Sequence, residues 1–133
     1  MTLVDTSVWV HHLRHGSSEL RKLLDNGEAL GHPFIIGELA CGTMKNRAEI
    51  LDLLHALPVA LVAEHDEVMK FLNEKRLYGH GLGWIDLHLL ASASLSRATL
   101  WTMDRALKVA LPPKQVDQFA KNSDFATASS GVS

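Results

Sequence analysis

Leu3-Val4-Asp5-Thr6-Ser7-Val8-Trp9-Val10, residues 3–10, is the stretch on which the reading of the fold turns. Two apolar residues run into a carboxylate, as a short buried strand does at its end. Val8, Trp9, Val10 and Leu13 then suit a helix, with a stop near Gly16. The same alternation returns along the chain. Ser17 or Ser18 can cap a helix that buries Leu20, Leu23 and Leu24, and Ala29-Leu30 is a weak strand. Pro33 opens a helix carrying Phe34 to Ala40, because its missing N–H costs nothing at a first turn. Helices are expected from about Arg47 to His55, from Glu64 to Leu77, from Trp84 to Leu95 and from Asp104 to Ala110, with strands at Val59 to Val62 and Thr99 to Thr102. Strands alternating with helices predict an α/β class with a mainly parallel central sheet flanked by helices. Ligands of such sheets bind beyond the carboxyl ends of strands, where Asp5 and Asp104 fall.

The chain has 133 residues, 47% of them hydrophobic and 21% charged, which suits one globular domain with a real core. That domain is read over residues 1–121, and the small, polar segment 122–133 as a disordered tail. A net charge of −2 announces no nucleic acid and excludes none, since a local basic rim can coexist with it. Cys41 is the sole cysteine, so an internal disulfide is excluded and a reducing cytosol is expected. The opening residues lack the basic and long apolar runs of a signal peptide. The most apolar stretch, Ala56 to Ala63, is broken by Pro58 and is too short for a membrane span.

Most acids sit in polar surroundings, where a solvated role is expected. Four do not. Asp5 follows Leu3-Val4; Glu38 stands among Ile35, Ile36, Leu39 and Ala40; Asp86 among Trp84, Ile85, Leu87 and Leu89; Asp104 follows Leu100-Trp101-Thr102-Met103. Taken singly, Asp5 and Asp104 can cap the next helix, and Asp86 suits a first turn. Glu38 lies beyond its first turn and has no such use. No Lys or Arg lies within these apolar segments to neutralise the set. Four clustered carboxylates repel one another, and a hard divalent cation resolves that. Oxygen-only ligation points to Mg²⁺ or Mn²⁺ rather than zinc.

Four stretches resemble the motifs of the PIN-domain nucleases in order and spacing. They are Leu3-Val4-Asp5-Thr6-Ser7-Val8-Trp9, then His32-Pro33-Phe34-Ile35-Ile36-Gly37-Glu38-Leu39-Ala40, then the stretch Gly83 to Ala93 around Asp86, and Leu100-Trp101-Thr102-Met103-Asp104. The resemblance covers about residues 1–111, and length and wording are similar to the VapC toxins of bacterial toxin–antitoxin pairs. It implies a PIN-like three-layer fold and a Mg²⁺-dependent endoribonuclease, usually dimeric and held inactive by a VapB antitoxin. All four acidic positions are filled. Asp5 and Asp86 are then the first choices as metal ligands, with Asp104 completing the cluster. Glu38 is expected to ligate a second ion or orient the attacking water. Ser7 and Thr102 are candidates to hydrogen-bond carboxylates or water.

Other features carry weaker readings. The eight histidines read mostly as surface residues, with His32 as a turn or cap. Trp9, Trp84 and Trp101 can stack on bases, but their neighbours favour core packing for all three. Lys45, Arg47, Arg76, Arg97 and Arg105 are candidate contacts for RNA phosphates, but such residues are more often solvated on helices, and none is assigned as a binding residue. Two rival functions stand beside the nuclease. A haloacid-dehalogenase-type phosphatase also opens on a strand ending in Asp, but wants a second Asp where Ser7 stands. A non-catalytic PIN-like binding module is the other, and the intact acid set argues against it.

Overall fold

The computed structural model describes residues 1–112. The expected domain end at 121 and the tail 122–133 lie outside them. The elements run β1 (Thr2–Val4), α1 (Thr6–His15), α2 (Ser18–Asp25), β2 (Ala29–Leu30), α3 (Pro33–Cys41), α4 (Arg47–His55), α5 (His65–Glu74), α6 (Trp84–Leu95), β3 (Thr99–Trp101) and α7 (Arg105–Ala110). The strands form one parallel sheet in the order β2-β1-β3. Leu3 stands opposite Leu30 on one side and Leu100 on the other, and Val4 opposite Trp101. The central strand is covered on all sides, which is why it reads as an unbroken apolar run.

Leu3, Val4, Val8, Leu20, Ile35, Leu89, Leu100 and Leu107 form the heart of the core, each at most 1% exposed. Helix α6 is buried continuously from Leu87 to Ala93, so its sequence shows no polar stripe. Ser17 caps α2 by accepting the Leu20 N–H at 3.2 Å. Gly16, at φ +80°, ends α1 in a conformation that favours glycine.

Two expected elements differ. No strand forms over Val59 to Val62; Val59 makes only an isolated bridge to Gly31. Hydroxyls in and just after α6 take the backbone donors a strand would use: Ser96 Oγ accepts the Leu61 N–H at 2.8 Å, and Ser92 Oγ the Ala63 N–H at 3.1 Å. Helix α5 stops at Glu74 and not at Leu77. Arg76 turns left-handed (φ +54°) and the Leu77 N–H reaches back to the Leu72 carbonyl at 3.1 Å, closing the helix end.

His32 shows how sequence chemistry fixes a junction. It is fully buried between β2 and α3 and caps α3, its Nδ1 accepting the Phe34 N–H at 3.0 Å. Nδ1 therefore carries no proton, and the ring hydrogen sits on Nε2, which donates to Ser92 Oγ at 3.1 Å. Protonating Nδ1 would set two N–H groups against each other. Burial first, and then the neighbouring His88, push this imidazole down from 6.5 to about 4. The fold thus binds the neutral ring, which contributes stability above pH 6.5 that is lost as pH falls towards 4. The loss is on the order of 3 kcal/mol. His32→Asn keeps a capping oxygen without a titrating ring. Urea midpoints measured from neutral to acid pH should fall more steeply for the wild type than for this variant. Parallel curves would refute the assignment.

Candidate active site

The ends of β1 and β3 lie side by side, because the ladder continues one residue past β1: the Asp5 N–H donates to the Trp101 carbonyl at 2.9 Å. This sets Asp5 against Thr102. Asp5 is buried, and every donor that reaches its carboxylate ends on Oδ2. The Ser7 hydroxyl donates at 2.7 Å and the Thr102 hydroxyl at 2.8 Å, with the Ser7 N–H longer at 3.4 Å. The same two hydroxyl oxygens accept backbone N–H groups, Ser7 Oγ from Met103 at 2.9 Å and Thr102 Oγ1 from Asp104 at 3.0 Å. With both hydrogens spent on Asp5, the 3.3 Å approach of Ser7 Oγ to Thr102 Oγ1 is a contact and not a third bond. The candidates Ser7 and Thr102 are therefore structural partners of Asp5, tying β1–α1 to β3–α7.

The other acids are each anchored through one oxygen. Asp86, in the first turn of α6, accepts the Gly83 N–H on Oδ2 at 2.9 Å. Asp104 caps α7, accepting the Leu107 N–H on Oδ1 at 3.1 Å. Glu38 accepts the Thr6 hydroxyl on Oε1 at 2.8 Å. Among the described residues, no hydrogen-bond donor reaches the second oxygen of any of the four. The three aspartates thus sit at helix amino ends, where the backbone dipole favours an anion. Capping and clustering turn out to be the same arrangement.

Asp86, Asp5 and Asp104 feel one another. Burial raises the Asp86 carboxyl above 3.8, the charges of Asp104 and Asp5 raise it further, and the Gly83 N–H opposes the rise. Neither ion pair among the described residues, Lys22–Glu19 or Lys70–Glu74, involves these acids. Glu38 stands apart from the trio and connects to it through Thr6, the neighbour of Asp5. Sequence reasoning passed over Thr6, although a hydroxyl directly after Asp5 was its signal.

Three expectations need correction. Glu38 and Asp104 are exposed, because they project from their helices away from the buried Ile35, Leu39 and Leu107. Trp84 is 39% exposed while Trp9 and Trp101 are buried, so only two of the three tryptophans serve the core. His88 is buried rather than superficial, while His32 is the cap read for it from the sequence. Of the candidate cations, Arg47 is engaged, donating twice to the Ala40 carbonyl at the end of α3 (3.1 and 2.8 Å). Lys45 instead lines a groove of about 380 Å³ together with Thr6, Arg14 and Glu38.

Among the described residues, no three of His, Cys, Asp or Glu stand close enough to cage an ion alone. The donor set fits a hard cation that keeps several waters and touches only one or two carboxylates directly, which is the habit of Mg²⁺. Residues 2–110 match the PIN domain family model. The chain belongs to the PIN-domain family. Within it, the chain is 49% identical over 111 residues to Ribonuclease VapC32 of Mycobacterium tuberculosis, in strains CDC 1551 / Oshkosh and ATCC 25618 / H37Rv. The alignment spans 83% of this chain and 90% of each relative, which places it with the VapC-type PIN proteins. The matched span contains all four acids and the Ser7–Thr102 clamp.

The repulsion at Asp86 has a measurable sign. Its raised carboxyl favours the protonated fold, a contribution full below 3.8 and lost as pH rises through the folded value. In EDTA, Asp86→Asn should therefore gain stability relative to wild type as pH rises from 3.8 towards neutrality. Adding Mg²⁺ should raise the wild-type melting temperature more than that of the variant. A variant less stable than wild type at neutral pH in EDTA would count against a repulsive cluster.

Proposed function

We propose that this PIN-domain protein is a Mg²⁺-dependent endoribonuclease, the toxin of a VapBC-type pair, with its reaction centre at Asp5, Asp86 and Asp104. The observation that carries the reading is the trio itself: Asp86 is raised by burial and by the charges of Asp104 and Asp5, and each of the three carboxylates is anchored to the fold through one oxygen. Asp5 and Asp86 are the primary ligands, Asp104 completes the set, and Mn²⁺ is the natural substitute ion. An ion held by Asp5 and Asp86 would supply a lowered pKa for water and offset charge growing on the phosphate oxygens. The protein's part is orientation. The Ser7 and Thr102 hydroxyls hold Asp5 in one rotamer, and the Gly83 N–H holds Asp86. Glu38, whose carboxylate accepts the Thr6 hydroxyl, is assigned to orient the attacking water or hold a second ion.

The partners follow from family membership. A VapB-type antitoxin is expected to restrain the enzyme, with an Arg or Lys of its tail entering the carboxylates in place of the ion. A homodimer and a cytosolic setting are part of the same reading; among the described residues no helix is long and apolar enough to cross a membrane. Purified protein should cleave RNA with Mg²⁺ and stop in EDTA. Asp5→Asn and Asp86→Asn should each lose at least about 100-fold in kcat/KM, since charge stabilisation by the ion contributes several kcal/mol. Equal cleavage by wild type and both variants would assign the activity to another site or a contaminant. Adding the partner encoded beside this chain should lower the rate, and removing it should restore it.

A further inference from the structure

The segment between α5 and α6, residues 75–83, is built as a presented loop. Leu77 and Leu82 pin its two sides to the same small cluster, Ala63, Val68, Leu87 and Ala91. Between them Gly79 and Gly81 both take positive φ (+75° and +80°), which lifts the tip outward. Tyr78 on that tip is 61% exposed. Lys75 and Arg76 at the loop's entrance are exposed, and neither has an ion-pair partner among the described residues. The loop leads directly into Trp84 and, two residues on, Asp86.

Trp84 is exposed but not loose. The His65 ring lies 5.1 Å from it at a 47° tilt, and His88, one turn along α6, meets it edge-on at 5.0 Å. His88 in turn abuts Phe34 at 4.8 Å, and Phe34 lies one helical turn before Glu38 on α3. The indole is thus braced by rings that run from the Glu38 helix to the first turn of α6. A rigid aromatic face held open to solvent loses little entropy on stacking, and every nucleobase has a face to offer. A carboxylate cluster in a chain of net charge −2 also repels a phosphodiester strand, so the strand must be held from outside the cluster.

We propose that residues 75–84 hold single-stranded RNA, with Lys75 and Arg76 on backbone phosphates and Trp84 stacked on a base beside the carboxylate centre. The proposal rests on the ribonuclease reading and names how that site positions its substrate. Trp84 is a positioning residue with a preference for unpaired bases.

The test is binding in EDTA, where no cleavage occurs, to two labelled probes: mixed-sequence single-stranded RNA and an abasic ribose-phosphate strand of equal length. Trp84→Leu should weaken the base-bearing probe by about 5- to 100-fold and leave the abasic one unchanged. Trp84→Phe should stay within about threefold of wild type, since a ring remains. Lys75→Gln and Arg76→Gln together should weaken both probes and shrink the salt slope by about 1.4. Since Trp84 is the sole exposed tryptophan, wild-type emission should be quenched by the base-bearing probe and not by the abasic one, a readout that needs no variant. Unchanged binding by Trp84→Leu, or absence of quenching, overturns the proposal. With Mg²⁺ restored the two readings separate: cleavage without quenching sinks the loop assignment alone, and quenching without cleavage sinks the nuclease alone.

Discussion

The paired hydroxyls on Asp5 Oδ2 are the constraint from which the rest of the site follows. Ser7 arrives from the first turn of α1 and Thr102 from the residue after β3, so two parallel strands and the helices behind them are tied at a single oxygen. Each hydroxyl also accepts a backbone N–H from the segment that leads into α7. Every hydrogen in this small network has one destination, so its geometry cannot drift without leaving a buried polar group unpaired. That cost keeps Asp5 in place although it is an acid sharing space with two others. Asp104 inherits its position from the same network, because its N–H is held by Thr102 before its carboxylate caps α7.

A cluster of anions would ordinarily be an unstable thing to bury. The chain keeps the cost tolerable by two means. Only Asp5 is fully buried, while Asp86 is partly exposed and Asp104 open to solvent. Each aspartate also meets an amino end of a helix, where the partial positive charge offsets part of the repulsion. The residual is visible at Asp86, whose carboxyl is raised by burial and by both neighbours despite the Gly83 N–H. A cation that retains its waters relieves this residual without demanding a tight cage, which agrees with carboxylates that are neighbours but do not converge on one point.

Much of this was legible in the residues alone, and the failures have a common cause. The strands at Leu3-Val4 and Thr99–Trp101 announce themselves because a buried parallel strand must be apolar throughout. The carboxylates at their ends stood out for the same reason. Apolar neighbours in sequence, however, do not report which face of a helix a residue occupies. Glu38 sits between Ile36 and Leu39 yet points outward, and Trp84 precedes seven consecutive buried residues yet is open to solvent. The strand expected at Val59 to Val62 failed for a reason no local pattern carries, since its donors are captured by serines some thirty residues later. Ser92 was invisible as a hub for that reason: its hydroxyl serves both His32 and Ala63, from elements far apart in the chain.

The opposition between a structural and a functional use of the aspartates dissolves on inspection of which oxygen does what. A capping carboxylate needs one oxygen for its backbone N–H, and a metal ligand needs one for the ion. Asp5, Asp86 and Asp104 each devote a single oxygen to the fold and keep the other clear of protein donors among the described residues. Helix capping by itself gives no reason for the capping acids of α1, α6 and α7 to be brought within electrostatic reach of one another, since caps on separate helices are equally stable far apart. The Asp86 carboxyl is raised first by burial and then by the charges of Asp104 and Asp5, so the charged form is disfavoured there. The acids stand at the carboxyl end of the central sheet, where parallel α/β folds place their ligands, and a divalent cation bound there would offset the repulsion.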